Sequence, residues 1–210
     1  VTGVQTCALP ISERGRPFER GGVLSENQAD VGLIAACQQG DSRAFRQVFE
    51  MYRDRVYGLC RQMAGNDHDA EDLTQEIFIW AFKSIGSFRA EATFGTWLYR
   101  IAANRCLSEL RKRRPRFQQV EELEQKNVLP LASGGNPEEQ LVRKELVKRV
   151  EAAVADLPES QRLIFVMGTQ LGMRYREIGE IANCSEDAVK VRIHRARKRV
   201  RDAIKPYLEN

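Results

Sequence analysis

The last third of the chain places cations at a helical repeat. Lys190, His194, Arg197 and Arg201 recur every three or four residues, with Arg195 and Lys198 beside them. At about 100° per residue, that spacing makes one stripe along a helix. Between Ser185 and Lys205 eight Lys/Arg stand against three Asp/Glu. Such a stripe suits base edges and phosphates in a DNA groove; a solvated basic face is the plainer alternative. A second basic run lies earlier. Arg100, Asn104, Ser108 and Arg111 share a narrow arc away from Leu98, Ala102 and Leu110, and residues 100–116 hold seven Lys/Arg against Glu109 alone. Ser87, Phe88, Phe94 and Trp97 sit just upstream. Aromatic and basic groups together suit an unstacked base, although Phe94 and Trp97 taken singly read as core. The third set has the opposite sign. Asp67, Asp69, Glu71, Asp72 and Glu76 fall between 67 and 80, where no Lys or Arg occurs. Asp69, Asp72, Glu76 and Ile79 line one side of a helix, with Gln75 adjacent. An acidic face repels DNA, so its functional reading is a basic protein partner. Taken alone, it reads as the solvated side of a surface helix.

Other chemistry has less footing. Asp67-His68-Asp69 lacks the complementary cluster that would close a metal site. The five cysteines (Cys7, Cys37, Cys60, Cys106 and Cys184) are odd in number, scattered, and form no CxxC pair. That pattern argues against a zinc site or disulfide framework and fits a reducing cytoplasm. No GxxxxGK[ST] loop, Cys/His pair or paired carboxylates occur at usable spacing. The expectation is therefore no enzyme, no cofactor, no metal and no small-molecule substrate.

These faces need helices to hold them. The 210 residues suffice for one or two domains, and 33 Lys/Arg against 29 Asp/Glu leave only +4 net. Charge placement, not net charge, must therefore carry any nucleic-acid argument. No run approaches the roughly 18 apolar residues of a spanning helix, so no membrane insertion is expected. Val1 to Ile11 reads as the translation of a sequencing adapter, and residues 12–22 are rich in Gly, Arg and Pro. Residues 1–25 are set aside as an artefactual or unstructured tail. From about Asp30 the pattern is helical and β-branched alternation is absent. Asn66–Asp67 can cap a helix with apolar positions at Leu73, Ile77, Trp80/Ala81 and Ile85. Another helix starts near Thr93 and runs until Pro115 stops it. Residues 115–140 read as a flexible linker. Periodicity then returns through Val142, Leu146, Val150, Val154 and Leu157, breaks at Pro158 and resumes at Gln161. Tyr175 to Ala182 and the helix after Ser185 flank the turn Asn183-Cys184-Ser185, with Gly179 marking a close approach. Ser185 is a good N-cap, and Val189, Ile193, Ala196, Val200 and Ala203/Ile204 form the buried stripe. The fold class is all-α: two small helical domains on a tether, the second containing a helix-turn-helix.

Four strings carry a family resemblance: AEDLTQEIFIWAFKSIGSFR, FGTWLYRIAANRCLSELRKRR, LPESQRLIFVMGTQLGMRYREIGEIA and AVKVRIHRARKRV. Together, at this spacing, they resemble the extracytoplasmic-function sigma factors of bacterial RNA polymerase. The resemblance implies a region 2 bundle over 26–114 and a region 4 bundle over 141–208. It implies that Asp69, Asp72, Gln75 and Glu76 dock on the β′ clamp helices of core polymerase. Ser87, Phe88 and Asn104 would capture a base of the −10 element, with Arg100, Arg111 and Arg113 on the backbone nearby. Lys190, Val191, His194 and Arg195 would read the −35 element, and Arg197 and Lys198 would contact phosphates. Implied partners are core polymerase (β′ clamp helices and β flap), promoter DNA and an anti-sigma factor. Arg174 departs from the family, which has Ser capping the first helix of the motif, and Asn183 replaces a common Gly. Glu186 and Asp187 add negative charge near the −35 contact. Two other readings use fewer of the faces: a stand-alone helix-turn-helix regulator, and a sigma-like adaptor that does not initiate transcription.

Overall fold

A computed structural model describes the backbone of residues 26–113 and 137–208, and the side chains of residues 31–112 and 144–207. The expected tail over 1–25 and most of the expected linker lie outside the described residues. The described residues form helices and turns with no strand, as the all-α reading requires.

The first bundle consists of α1 (Glu26–Gln38), α2 (Ser42–Ala64), α3 (Asp67–Ser84) and α4 (Phe94–Arg113), with a single 3-10 turn, Ile85–Ser87, after α3. Helix α2 is central because Val48, Tyr52, Val56, Leu59 and Met63 recur at helical spacing and are all buried. The Asp41 carboxylate caps its start, accepting from the Arg43 N–H at 2.8 Å. Gly65 ends it in the left-handed region at φ 87, where a side chain is strained. Asn66 then caps α3, its side-chain oxygen accepting from the Asp69 N–H at 2.8 Å, as the sequence pattern indicates. Asp67 pins this tight corner. Its Oδ1 accepts from Arg61 Nε at 2.6 Å and from the Tyr57 hydroxyl at 3.0 Å. Burial, followed by the hydrogen bond to Asp67, holds the Tyr57 phenol above its ordinary pKa. Helix α4 buries Leu98, Ala102 and Cys106, and Thr93 Oγ1 accepts from the Thr96 N–H at its start. Of the alternatives Trp80/Ala81 for the α3 core, Ala81 is fully buried and Trp80 is 44% exposed.

The second bundle consists of α5 (Pro137–Ala155), α6 (Glu159–Thr169), α7 (Tyr175–Ala182) and α8 (Glu186–Leu208). Helix α5 begins inside the stretch expected to be linker. Pro137 pre-sets the first helical φ and needs no N–H partner there. Buried Val154, Leu163, Ile164, Val166 and Met167 meet Ile178, Val189, Ile193 and Ala196 in one core. Helices α6 and α8 pack closely: a Cβ on Gly168 would stand 2.6 Å from Ile193 Cδ1.

A tether alone sets no distance between the two bundles, yet here they touch. Helices α5 and α6 lie against α2, and α6 and α7 against α4. Arg162 joins helix ends across the boundary, with Nη1 donating to the Met63 carbonyl at 3.3 Å and Nη2 to the Ala155 and Leu157 carbonyls. Terminal carbonyls lack intrahelical partners, so a guanidinium fork gains hydrogen bonds by meeting them.

Candidate nucleic-acid interface and docking face

The helix-turn-helix is fixed by backbone chemistry at its turn. Asn183 adopts the left-handed region at φ 50 and ψ 53, and the Cys184 N–H donates to the Gly179 carbonyl at 3.0 Å. A Cβ on Gly179 would stand 2.6 Å from the Cys184 carbonyl oxygen, a distance that backbone does not tolerate. Ser185 Oγ accepts from the Ala188 N–H at 3.2 Å and caps α8. At the other end of α7, Arg174 has no acceptor to cap with; the Glu177 carboxylate alone closes that turn, accepting from the Arg174 N–H at 2.8 Å. Helix α8 buries Val189, Ile193, Ala196, Val200 and Ile204, whereas Ala203 is exposed. Lys190, Val191, His194, Arg195 and Lys198 are exposed and Arg197 is half-buried. The stripe therefore faces solvent along a rigid, capped helix.

The second face lies on α4 and the loop before it. Ser87 is exposed, and its hydroxyl donates to the Ser84 carbonyl at 2.6 Å. Phe88 is half-buried, its ring 5.7 Å from that of Phe94 and 5.4 Å from that of Trp97. Phe94 is core, which matches its plainer reading. Gln38, at the end of α1, holds this corner by donating from Nε2 to the Ile85 carbonyl at 3.1 Å and the Phe88 carbonyl at 3.0 Å. Sequence reasoning passed over Gln38, since its partners are backbone carbonyls and leave no side-chain signature. Arg100, Asn104, Ser108 and Arg111 are all exposed on one side of α4. Arg100 Nη2 reaches the Glu180 carbonyl of α7 at 3.5 Å. Arg113 ends α4, and its side chain lies outside the described residues.

The third face is on α3. Asp69 is half-buried and belongs partly to the cap, accepting from Asn66 Nδ2. Asp72 is exposed and lies 3.5 Å from His68 Nδ1, one helical turn before it. Gln75 and Glu76 are exposed. From Asp69 to Glu76 the row rises about 10 Å along the helix axis. Asp67, the other end of the suggested metal triplet, is engaged by Arg61 and Tyr57 and turns away from this row. The structure thus gives a negative row on α3, a polar and basic face on α4, and a basic stripe on α8.

Two family models match the chain: Sigma-70 region 2 over residues 48–116, and Sigma-70, region 4 over residues 148–200. The chain is 36% identical over 177 residues to the ECF RNA polymerase sigma factor SigW of Bacillus subtilis, covering 82% of this chain and 95% of that relative. It is 33% identical over 193 residues to the ECF RNA polymerase sigma-E factor of Escherichia coli K12, covering 88% and 99%. Among solved structures, CnrH in complex with the cytosolic domain of CnrY superposes with a TM-score of 0.63 at 24% identity, over 85% of this chain and 98% of that one. The sigma factor RpoE of Bartonella quintana, solved with the anti-sigma factor NepR, gives 0.62 at 23% identity over 77% and 96%. These two share the fold. With both regions matched in order and relatives aligned along nearly their whole length, the chain belongs to the ECF RNA polymerase sigma factors of the sigma-70 family.

Proposed function

We propose that this chain directs promoter-specific initiation by binding core RNA polymerase through α3 and reading promoter DNA through α4 and α8. The observation that carries the reading is the separation of charge. The exposed acidic row Asp72–Glu76 sits in the same bundle as the exposed Arg100–Asn104–Arg111 face, on a different helix. One bundle can therefore hold a basic protein surface and nucleic acid at once. Asp72, Gln75 and Glu76, with Asp69 at the row's start, meet the β′ clamp helices. Ser87, Phe88 and Asn104 receive an unstacked −10 base, and Arg100, Arg111 and Arg113 hold the strand beside it. Lys190, Val191, His194 and Arg195 face the −35 element, with Arg197 and Lys198 on phosphates.

Work is divided between binding and opening. Core polymerase holds both bundles at promoter spacing and makes the second DNA contact effectively intramolecular. Unstacking a base costs a few kcal/mol, which capture in a pocket must offset. No side chain is asked to act as acid, base or nucleophile. An anti-sigma factor is the natural regulatory partner, since it would compete for these same exposed faces.

A pull-down of the full chain on sigma-free core polymerase tests the reading, compared with an Asp72→Arg/Glu76→Arg variant. Binding by the parent and loss in the variant is the expected result. Failure of the folded parent to bind would leave the stand-alone regulator as the better account.

A further inference from the structure

The turn between α3 and α4 has little apolar packing to hold its shape. Ile85 is buried and Phe88 half-buried, whereas Gly86, Ser87, Arg89 and Ala90 are exposed. The segment is also strained, because Ala90 holds a left-handed backbone at φ 57 that a side chain disfavours. A stretch with so little buried surface opens readily, so its shape depends on hydrogen bonds. Gln38 of α1 supplies them from outside. Its Nε2 donates to the Ile85 carbonyl at 3.1 Å and to the Phe88 carbonyl at 3.0 Å. The two N–H groups of one amide suffice for both acceptors, and the amide oxygen in that place would face two carbonyls. The Phe88 N–H donates to the Ile85 carbonyl at 3.0 Å, so Gln38 grips the first and last residues of one turn, with Ser87 held between them.

The grip comes from a fixed helix end. Ile34 and Cys37 are buried and seat the last turn of α1 on the bundle. Gly40, left-handed at φ 86, donates its N–H to the Cys37 carbonyl at 2.9 Å and closes that end. On its other side the turn rests on α4 through the Phe88 ring, which packs against Phe94 and Trp97. Helix α4 also carries Asn104. We propose that Gln38 is a positioning residue for base capture: its two carbonyl contacts hold the 85–88 turn in the shape that presents Ser87 and Phe88 to an unstacked base. The assignment rests on the base-capture reading above and deepens it. A turn shaped before the base arrives has less to order on binding, and a fixed outline accepts one base better than another. Gln38 thus acts on selectivity without touching DNA.

The test uses holoenzyme reconstituted from the full chain and sigma-free core polymerase, with a library of randomised single-stranded oligonucleotides as the probe. Sequencing the bound fraction gives the base preference at each position. The parent is expected to enrich one base strongly at the captured position. Gln38→Met, of similar length but without a donor, should lower that enrichment about fivefold, the lower end of what a base contact is worth. Core binding and the melting transition of the free chain should stay close to the parent's. Gln38→Lys restores N–H donors and should recover most of the preference; the ratio between bases at one position does not depend on the charge it adds. If Gln38→Met lowers melting and core binding together and weakens every position alike, with no recovery in Gln38→Lys, the residue is merely structural and the assignment is overturned. Asn104→Ala is the companion variant. If it erases the enrichment while Gln38→Met keeps it, base capture stands and the positioning assignment falls. If the parent enriches no base, or Asn104→Ala leaves the enrichment intact, both readings fall.

Discussion

Asn104 and Arg174 illustrate two ways in which a single position matters. Asn104 is exposed, one helical turn after Arg100. Removing its amide should cost the fold little, since surface substitutions usually stay within about 0.5 kcal/mol. In the promoter complex, however, the amide would face an unstacked base edge. The loss of such hydrogen bonds costs about 1–3 kcal/mol, or roughly tenfold or more in affinity. Asn104→Ala is therefore expected to lower open-complex yield about tenfold, read by reactivity of unpaired thymines, with core binding unchanged in the same preparation. Equal loss of both would remove Asn104 from the base pocket. Arg174 acts through the fold instead. It sits at the N-cap of α7 without a side-chain acceptor, and only the returning Glu177 carboxylate closes the turn. Arg174→Ser supplies the missing half of that capping box. A gain of about 1 kcal/mol is expected, seen as a melting temperature higher by a few degrees.

At the scale of elements, the hydrophobic period made most of the fold legible. Asn66 and Ser185 cap the helices they were expected to cap, because each has its side-chain oxygen just before a periodic apolar run, and the helix expected to start near Thr93 does so with Thr93 as its cap. The α8 stripe faces out for the same reason: Val189, Ile193, Ala196 and Val200 take the core side and leave Lys190 and His194 one step round on the exposed flank. What stayed hidden has a common cause. Trp80 and Ala81 are adjacent and both apolar, so periodicity could not say which one α2 would cover; the neighbouring helix decided for Ala81. Gln38 secures the corner before α4 through the carbonyls of Ile85 and Phe88, contacts that span 47 and 50 residues and carry no side-chain pattern. The start of α5 at Pro137 was obscured by reading proline as a linker residue when its first-turn role was also open.

The contact between the bundles belongs to the whole molecule, and it engages a residue of the face proposed for promoter DNA. Arg100 of the α4 face meets the Glu180 carbonyl of α7, so the first helix of the helix-turn-helix lies against one end of the exposed Arg100–Arg111 face. Arg162 holds the arrangement from the middle, joined to a carbonyl 99 residues away. Its Nε is buried without a partner, and burial pulls its guanidinium below the usual pKa. Such a contact is easily biased, because part of the cost of burying the charge is not returned. Glu151 of α5 adds a pH dependence. Burial raises its pKa most, and Asp67 of the first bundle pushes in the same direction while Arg61 opposes it. A carboxyl whose pKa is raised in the packed form favours packing while it is protonated. Its contribution is complete below the ordinary carboxylate range and is lost as pH rises through the raised value. Small-angle scattering of the full chain should therefore report a radius of gyration that grows as pH rises above the ordinary glutamate value of about 4.3. Glu151→Gln should stay compact and flatten that dependence, because an amide carries no charge to desolvate. Arg162→Ala should be expanded throughout, with its helical circular dichroism retained to show that both bundles are still folded. A pH profile for Glu151→Gln identical to that of the parent would remove the carboxyl from the contact. An unexpanded, folded Arg162→Ala would show that apolar packing of α6 on α2 suffices to hold the bundles together.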